Sequence, residues 1–387
     1  MGVSPSDGSD PIEIVQKITQ LLDAAAFDTT YKLATLEALI GLVGGSLDAF
    51  GNPRESYSAR EISDRVLDRY WNQTASFVID GSSKPHLLRQ RGGGQGGDLV
   101  SRVFDVRVEL GMTSYADSLV RARKTSPASI AKLETLAWER IVDMPLPRLQ
   151  RFGTGSQAIE ERFLYEYGWG VEGPKKHLSL ARKNDSLILK HGVARSLLVL
   201  QPLLLRHIEA LWLRLVADWN PGLTNAGRLN EALFGSQRRA NRALVEPLAE
   251  LQNGKCFYCG AEFGSSVEVD HFLPWSATRN DNVENLVASC SGCNAKKSDS
   301  LAAPVHILKW TDRLADGSLL SGVLAEIAEK FARNLEPAYS IGQARGLYLY
   351  SIDKRPLWLL GDDYSQLDKD EIKQVLAELE ASDSTAL

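Results

Sequence analysis

The distribution of cysteine constrains this chain more than any other feature of its sequence. All four cysteines form two closely spaced pairs, Cys256-x-x-Cys259 and Cys290-x-x-Cys293. One C-x-x-C turn presents two thiolates to a tetrahedral ion, and a second such turn completes a four-cysteine zinc site. A redox C-x-x-C motif and four unrelated buried thiols are the alternatives, but neither explains why the rest of the 387 residues lack cysteine. The spacing therefore predicts structural zinc (Zn2+) in a closed shell that holds the fold and does no chemistry.

The expected compartment follows from the N-terminal sequence, which has no hydrophobic run resembling a signal peptide. A cytoplasmic location is expected, and disulfides are not, because thiols stay reduced there. The most apolar stretch, residues 196–219, is interrupted by proline, glutamine and charged residues, so no membrane span is expected. Hydrophobic and charged residues make up 44% and 24% of the chain, as in ordinary soluble proteins.

The segment between the cysteine pairs has the pattern of a hairpin followed by a helix. Residues 267–269 alternate and include two valines, and residues 286–288 are apolar, which indicates two short strands. Residues 275–281 are expected to form a loop, and a short helix is expected to follow Cys290 with Asn294 in its first turn. This arrangement brings Asp270, His271 and Asn294 together around one point.

The segment resembles the HNH nuclease family, the ββα-metal fold, in its zinc-knuckle form. The matching pattern is C-x-x-C, then Asp270-His271-x-x-Pro274, then Asn285-Leu286, then C-x-x-C-Asn294-x-x-Lys297. The resemblance covers about 45 residues and departs from the family signature at Asn294, which stands where some members have histidine.

The resemblance implies a role for each of these residues. Asp270 and Asn294 are implied ligands of one catalytic divalent ion, and His271 is the implied general base that activates water. Asn285 is implied to hold the loop that orients the His271 ring. Oxygen ligands favour Mg2+ or Mn2+ over transition-metal ions that prefer nitrogen or sulfur ligands. A neutral imidazole suits the base, because its ordinary pKa lies close to neutrality. Lys297, one turn beyond Asn294, is predicted to face the phosphate backbone with catalytic effect.

Nucleic-acid contacts are expected from basic residues, although the chain carries a net charge of −5. Arg238, Arg239 and Arg242 precede the first cysteine pair, and Lys296 lies in the expected helix; these four are predicted to bind nucleic acid. Two further basic segments, residues 81–133 and 175–206, are candidate DNA-backbone surfaces. A solvated basic face with no partner is the alternative for both segments.

The rest of the sequence predicts a mainly α, multi-domain protein. Helical periods of apolar residues indicate helices over residues 11–26, 31–43 and 321–335, and residues 193–219 are expected to form a long, largely buried helix with a kink at Pro202. Residues 1–225 are assigned to a mainly helical recognition or regulatory region. Residues 226–312 are assigned to the nuclease domain with its structural zinc. Residues 313–387 are assigned to a helical C-terminal segment with an acidic tail.

Two functions from different classes are consistent with the sequence. The first is a metal-dependent DNA endonuclease, which we expect to serve restriction or anti-phage defence. The second is a non-catalytic zinc-ribbon protein that binds DNA. Cleavage of RNA is a third, weaker reading. The presence of Asp270, His271, Asn285 and Asn294 together favours the endonuclease, because a binding module needs no such set. A homodimer and a partner protein from a defence system both remain open.

Overall fold

The computed structural model divides into two compact units. The first contains residues 1–42 and 54–236, and the second contains residues 43–53 and 237–387. The structure describes residues 11–24, 27–75, 88, 90, 99–114, 117–153, 159–169, 176–220, 229–230, 233–234, 241–264, 266–315, 317–350, 356–366 and 368–381. The fold is mainly α, as predicted. The three-part division predicted from the sequence stays a prediction.

The first unit is built chiefly from helices. Their bounds are Pro11–Ala24, Tyr31–Gly44 (which ends in the second unit), Ala59–Gln73, Leu99–Glu109, Leu119–Thr125, Pro127–Asp143, Pro145–Arg148, Lys176–Lys183 and Val193–Trp219. The pattern Ser58-x-x-Glu61 predicts a capping box at the start of helix Ala59–Gln73, and the structure contains it. The Ser58 hydroxyl accepts a hydrogen bond from the Glu61 backbone N–H, and the Glu61 carboxylate accepts one from the Ser58 N–H. The sequence also predicts a short strand at residues 77–79 and a loop at the glycine-rich residues 92–97, and both lie outside the described residues.

Two small sheets accompany these helices. Strands β1 (Ser56–Ser58), β4 (Tyr165–Tyr167) and β5 (Ser186–Leu189) form an antiparallel sheet in the order β1-β5-β4. Strands β2 (Arg151–Phe152) and β3 (Ile159–Glu160) form a hairpin. Three neighbouring aromatic residues, Tyr165, Tyr167 and Trp169, are all buried, so they belong to the core of this unit.

The longest described helix, Val193–Trp219, is predominantly apolar and contains Pro202. By length and composition it is the one helix among the described residues that could cross a membrane, with a mean hydropathy of 1.3. Half of the apolar window is buried within the protein. A core helix has the same signature, so length and composition do not distinguish the two.

The second unit contains the cysteines and the remaining elements. Its α-helices are Val245–Leu251, Trp275–Thr278, Ser291–Lys297, Pro304–Asp312, Leu319–Phe331, Pro337–Tyr350 and Lys369–Ala381, with 3-10 turns at Arg242–Leu244 and Val283–Asn285. Its strands are β6 (Val267–His271), β7 (Leu286–Cys290), β8 (Leu357–Leu360) and β9 (Asp363–Ser365), which pair as the hairpins β6-β7 and β8-β9. The predicted hairpin and following helix are therefore present. The loop expected at residues 275–281 is partly wrong, because Trp275–Thr278 is helical.

One hydrophobic core extends through most of the second unit. It runs from Leu244 through the hairpin residues Val287 and Ala288 to Leu376 near the end of the described chain. Residues 43–53 are linked to this part of the chain by a hydrogen bond, in which the Arg345 guanidinium donates to the Leu47 carbonyl at 3.0 Å. The elements around the cysteines are thus supported by the residues that follow them in the sequence.

Candidate functional site

Antiparallel pairing of β6 with β7 sets the position of the site. Asp270 lies opposite Val287 and His271 opposite Leu286, so both functional residues stand at the end of the hairpin. Helix Ser291–Lys297 begins directly after β7, with the extended residue Cys290 as its cap. Asp270, His271 and Asn294 consequently line one groove with a volume of about 470 Å3.

The four cysteines converge beside this hairpin. The Sγ atoms of Cys256, Cys259, Cys290 and Cys293 all lie within 4.8 Å of one another. The first pair sits in a tight turn, where the Gly260 N–H donates to the Cys256 carbonyl at 2.9 Å. Zinc–sulfur bonds of ~2.3 Å place tetrahedral sulfur ligands about 3.8 Å apart, so the cluster fits a four-cysteine zinc ion. Such an ion would join the turn at residues 256–259 to the start of the helix at residues 291–297.

The Asp270 carboxylate is held from within the protein. Its Oδ2 accepts a hydrogen bond from the Tyr258 hydroxyl at 2.5 Å and pairs with the Lys297 ammonium at 3.0 Å. Burial, together with the negative charge of Asp270, raises the pKa of Tyr258 well above its usual value, so this hydroxyl stays protonated and donates. Both contacts use Oδ2. No described residue forms a hydrogen bond or ion pair with Oδ1 of this groove-lining residue, so Oδ1 is the oxygen left for a metal ion.

Lys297 differs from its predicted position. Its side chain is 0% exposed, and Nζ donates to the His271 carbonyl at 2.8 Å in addition to pairing with Asp270. A fully buried ammonium cannot contact the phosphate backbone of a substrate. Lys297 instead neutralises Asp270 and fixes the end of β6, which corrects the role predicted from its place one turn beyond Asn294.

His271 lines the groove and makes one side-chain contact with a described residue. Its Nε2 lies 2.8 Å from Oδ1 of Asp281, and the two side chains are 12% and 9% exposed. Asp281 is not among the predicted site residues, because it stands in an unremarkable polar run, Arg279-Asn280-Asp281-Asn282. No local signal distinguishes it from its neighbours.

Asn294 and Glu268 form a second polar pair on the groove wall. The Asn294 Nδ2 donates to Glu268 Oε2 at 2.5 Å. Because Nδ2 is bound to a carboxylate, the amide Oδ1 is the atom available for a cation. Glu268 is not among the predicted site residues either, although the strand pattern points to it. Residues i and i+2 of a strand share a face, so Glu268 lies on the Asp270 face of β6.

Asn285 is fully buried and bridges the loop between the two strands. Its Oδ1 accepts from the Leu273 N–H at 2.8 Å, and its Nδ2 donates to the carbonyls of Leu273 and Asn280 at 3.1 and 3.0 Å. These bonds close the chain that follows His271 against the start of β7. The side chain therefore occupies the place that a loop-holding role requires and does not reach the groove.

The basic residues predicted to bind nucleic acid fall into three situations. Arg242 is exposed and lines the groove with Asp270 and His271. Lys296 is exposed but forms an ion pair with Asp362. Arg238 and Arg239 lie outside the described residues. Arg242 is therefore the predicted residue that the structure brings to the site.

Some basic residues of the two segments in the first unit are paired or buried within the protein. Arg107 is buried and donates to the backbone carbonyls of Trp71 and Ser114. Five others form ion pairs: Arg102–Glu109, Arg121–Asp117, Arg123–Glu134, Arg182–Glu139 and Lys190–Glu166. Three of these acids (Glu134, Glu139 and Glu166) lie outside the two segments, so a count of charges within the segments alone overstates the free positive charge at these five residues.

Comparison with known families assigns the segment that carries Asp270, His271 and Asn294. The model of the family described as HNH endonuclease matches residues 256–300. These residues form an HNH endonuclease domain, and the four-cysteine cluster gives it the zinc-knuckle form. No curated protein and no solved structure matches the chain. The family assignment therefore rests on the domain, and it indicates a nuclease that acts on nucleic acid.

Proposed function

We propose that this protein is a metal-dependent endonuclease that hydrolyses DNA phosphodiester bonds in the groove between β6 and the helix Ser291–Lys297. The observation that carries the proposal is the convergence of Asp270, His271 and Asn294 on this one groove. The alternative of a non-catalytic zinc-ribbon protein needs the cysteines but gives no reason for a histidine, a carboxylate and an amide oxygen to face the same space.

Asp270 and Asn294 are the proposed ligands of the catalytic ion. A free carboxylate oxygen and an amide oxygen are hard donors that suit Mg2+ or Mn2+. When bound, such an ion supplies positive charge to the scissile phosphate and to the leaving oxygen. Lys297 neutralises the inner oxygen of Asp270 and Glu268 fixes the amide of Asn294, so the protein orients both donors before the ion arrives.

His271 is the proposed general base. Its ring lines the groove, where it accepts the proton of the water that attacks phosphorus. Asn285 fixes the chain that follows His271, so the loop next to the His271 ring is already ordered before substrate binds. Arg242, exposed on the rim of the groove, is the proposed contact to the phosphate backbone.

We further propose that the protein cleaves foreign DNA in the cytoplasm, as part of restriction or anti-phage defence. Its support is the combination of an HNH domain with a large helical unit that could select the substrate. One such centre per chain nicks a duplex as a monomer, whereas a double-strand break requires two centres, as in a homodimer.

Cleavage of supercoiled plasmid tests the proposal. Zinc-loaded protein is incubated with plasmid and Mg2+ or Mn2+, beside EDTA, the His271→Ala variant and the control His207→Ala, whose histidine is partly exposed in the first unit. Nicking or linearisation that needs the divalent ion and is lost only in His271→Ala is expected. A labelled RNA of the same sequence separates the RNA-cleaving alternative. Binding of plasmid without cleavage under any of these conditions would refute the endonuclease.

A further inference from the structure

The contact between His271 and Asp281 is more than a surface ion pair. The 2.8 Å contact joins two largely buried side chains. Burial by itself raises the pKa of Asp281, but the hydrogen bond with His271, the charges of His271 and Arg333, and the hydrogen bond from Asn241 together lower it below its usual value. Asp281 is therefore an ionised carboxylate, which accepts hydrogen bonds and has no proton to donate.

An acceptor at this position determines the tautomer of the neutral imidazole. Because Asp281 Oδ1 can only accept, Nε2 of His271 must carry the proton. The lone pair of the neutral ring then lies on Nδ1, which has no hydrogen-bond partner among the described residues. Nδ1 is thus the nitrogen that remains for a water molecule in the groove.

Asp281 is itself held by two residues that lie far away in the sequence. Asn241 Nδ2 donates to Asp281 Oδ1 at 2.8 Å, and the Arg333 guanidinium approaches Oδ2 at 3.3 Å. Arg333 also donates to Asn241 Oδ1 at 3.1 Å, which closes a ring of three side chains. Neither Asn241 nor Arg333 belongs to residues 256–300, the part that matches the family.

The segment that follows the helix Leu319–Phe331 carries Arg333 to this place. The helix ends at Ala332 in the left-handed conformation (φ +50°), which turns the chain. Beyond it, the Asn334 carbonyl accepts from the Val283 N–H at 3.1 Å, and Ser340 accepts from Asn280 Nδ2 at 2.8 Å. Residues 333–343 therefore hold the loop that contains Asp281 from end to end.

We propose that Asp281, braced by Asn241 and Arg333, is a positioning residue that fixes His271 as its Nε2–H tautomer with Nδ1 directed at the attacking water. The inference rests on the proposed nuclease function. It means that the working catalytic unit extends beyond residues 256–300 to the segment 333–343, and that the C-terminal part of the chain contributes to catalysis through Arg333.

The test combines kinetics with a direct reading of the tautomer. Asp281→Asn offers a side-chain amide that can donate to Nε2, which favours the inactive Nδ1–H tautomer. Asp312→Asn, an exposed aspartate outside the groove, is the matched control. In Asp281→Asn, kcat for plasmid cleavage with Mn2+ is expected to fall about 100-fold or more with little change in KM. Asp281→Glu, which keeps the carboxylate, is expected to recover part of the loss.

Nitrogen-15 NMR of histidine-labelled, zinc-loaded protein identifies the tautomer without any cleavage. The chain has six histidines, and His271→Ala assigns the relevant signals. Wild-type protein should show Nε2–H, and Asp281→Asn should show a large fraction of Nδ1–H. If wild-type protein cleaves no substrate, the nuclease proposal fails, while this spectrum still decides the role of Asp281.

Substitution of Asn241 and Arg333, the two residues that brace Asp281, provides a second test if Asp281→Asn does not fold. Arg333→Gln and Asn241→Ala leave the Asp281 carboxylate in place, and each is expected to lower kcat about 10- to 100-fold with unchanged plasmid binding. Unchanged kcat and an unchanged His271 tautomer in folded Asp281→Asn, or unchanged kcat in both brace variants, would overturn the inference.

Discussion

Replacement of Lys297 by methionine distinguishes the structural role of this lysine from the phosphate contact that its sequence position predicts. Methionine fills a similar volume but removes the ammonium that pairs with Asp270 at 3.0 Å and donates to the His271 carbonyl at 2.8 Å. Loss of one partner from a buried ion pair costs about 3–5 kcal/mol, since the remaining charge is left uncompensated. Lys297→Met should therefore destabilise the second unit by about that amount.

The release of zinc in urea measures the loss of stability in the second unit, which contains the four cysteines. A chromophoric chelator reports the urea concentration at which the four-cysteine cluster of the protein opens, without interference from the first unit. With a slope of ~2 kcal/mol per molar urea, the expected loss lowers the midpoint by about 1.5–2.5 M. Lys296→Met is the matched control, because it breaks only the exposed pair with Asp362, and solvent screens such a pair so that it contributes little to stability.

Two results would refute the structural role of Lys297. If Lys297→Met leaves the midpoint unchanged and instead raises KM for the plasmid, the ammonium contacts the substrate and the buried placement is wrong. If both lysine variants shift the midpoint equally, burial of Lys297 contributes nothing to its effect.

Three further predictions follow from the same unit. Burial raises the pKa of Glu284 to about 7, against 4.5 in its unperturbed state. The folded protein therefore binds the Glu284 proton more tightly than the unfolded chain does. The stability gained from this proton is fully present below pH 4.5 and is lost as the pH rises through 7. Between pH 5.5 and 7.5, wild-type protein should lose about 2 kcal/mol more of its unfolding free energy than Glu284→Gln does, and parallel curves would contradict this. Asn285→Ala leaves a buried N–H and two carbonyls unpaired, so denaturation should show a loss of about 3 kcal/mol or more; a loss below ~1 kcal/mol would mean that water replaces the amide. Cys290→Ala should lose zinc and unfold the second unit, and one zinc per chain by elemental analysis would contradict the four-cysteine site.

The local parts of the site could be predicted from the sequence because short-range patterns determine them. The alternating residues 267–269, the apolar residues 286–288 and the turn at Cys290 specify a hairpin and a helix within one stretch of chain. Asp270, His271 and Asn294 meet because these three elements are adjacent. No long-range information is needed to bring them to one groove.

The orientation of Lys297 could not be obtained in this way. Asn294 and Lys297 are three residues apart and so lie on neighbouring positions of the helix, which suggests a shared exposure. The long side chain of Lys297 instead reaches beneath the hairpin to the His271 carbonyl. Which of two neighbouring positions faces inward depends on the element that packs against the helix, and the helical period alone does not reveal it.

The brace around Asp281 is beyond sequence reasoning for a different reason. Asn241 and Arg333 lie 40 and 52 residues from Asp281. Both are polar residues in surroundings that give no motif, and only the tertiary fold brings them together. The same holds for the first unit, where acids distant in sequence, such as Glu139 for Arg182, neutralise basic residues that looked like a DNA surface.

The binding of Mn2+ to zinc-loaded protein shows whether the groove holds a divalent ion separate from the zinc. Calorimetric titration should detect one Mn2+ site in wild-type protein and in His271→Ala, which keeps both proposed ligands but does not cleave DNA. Asp270→Ala should lose that site while it retains its zinc. An equal number of Mn2+ ions bound by wild-type protein and by folded, zinc-loaded Asp270→Ala would contradict the account.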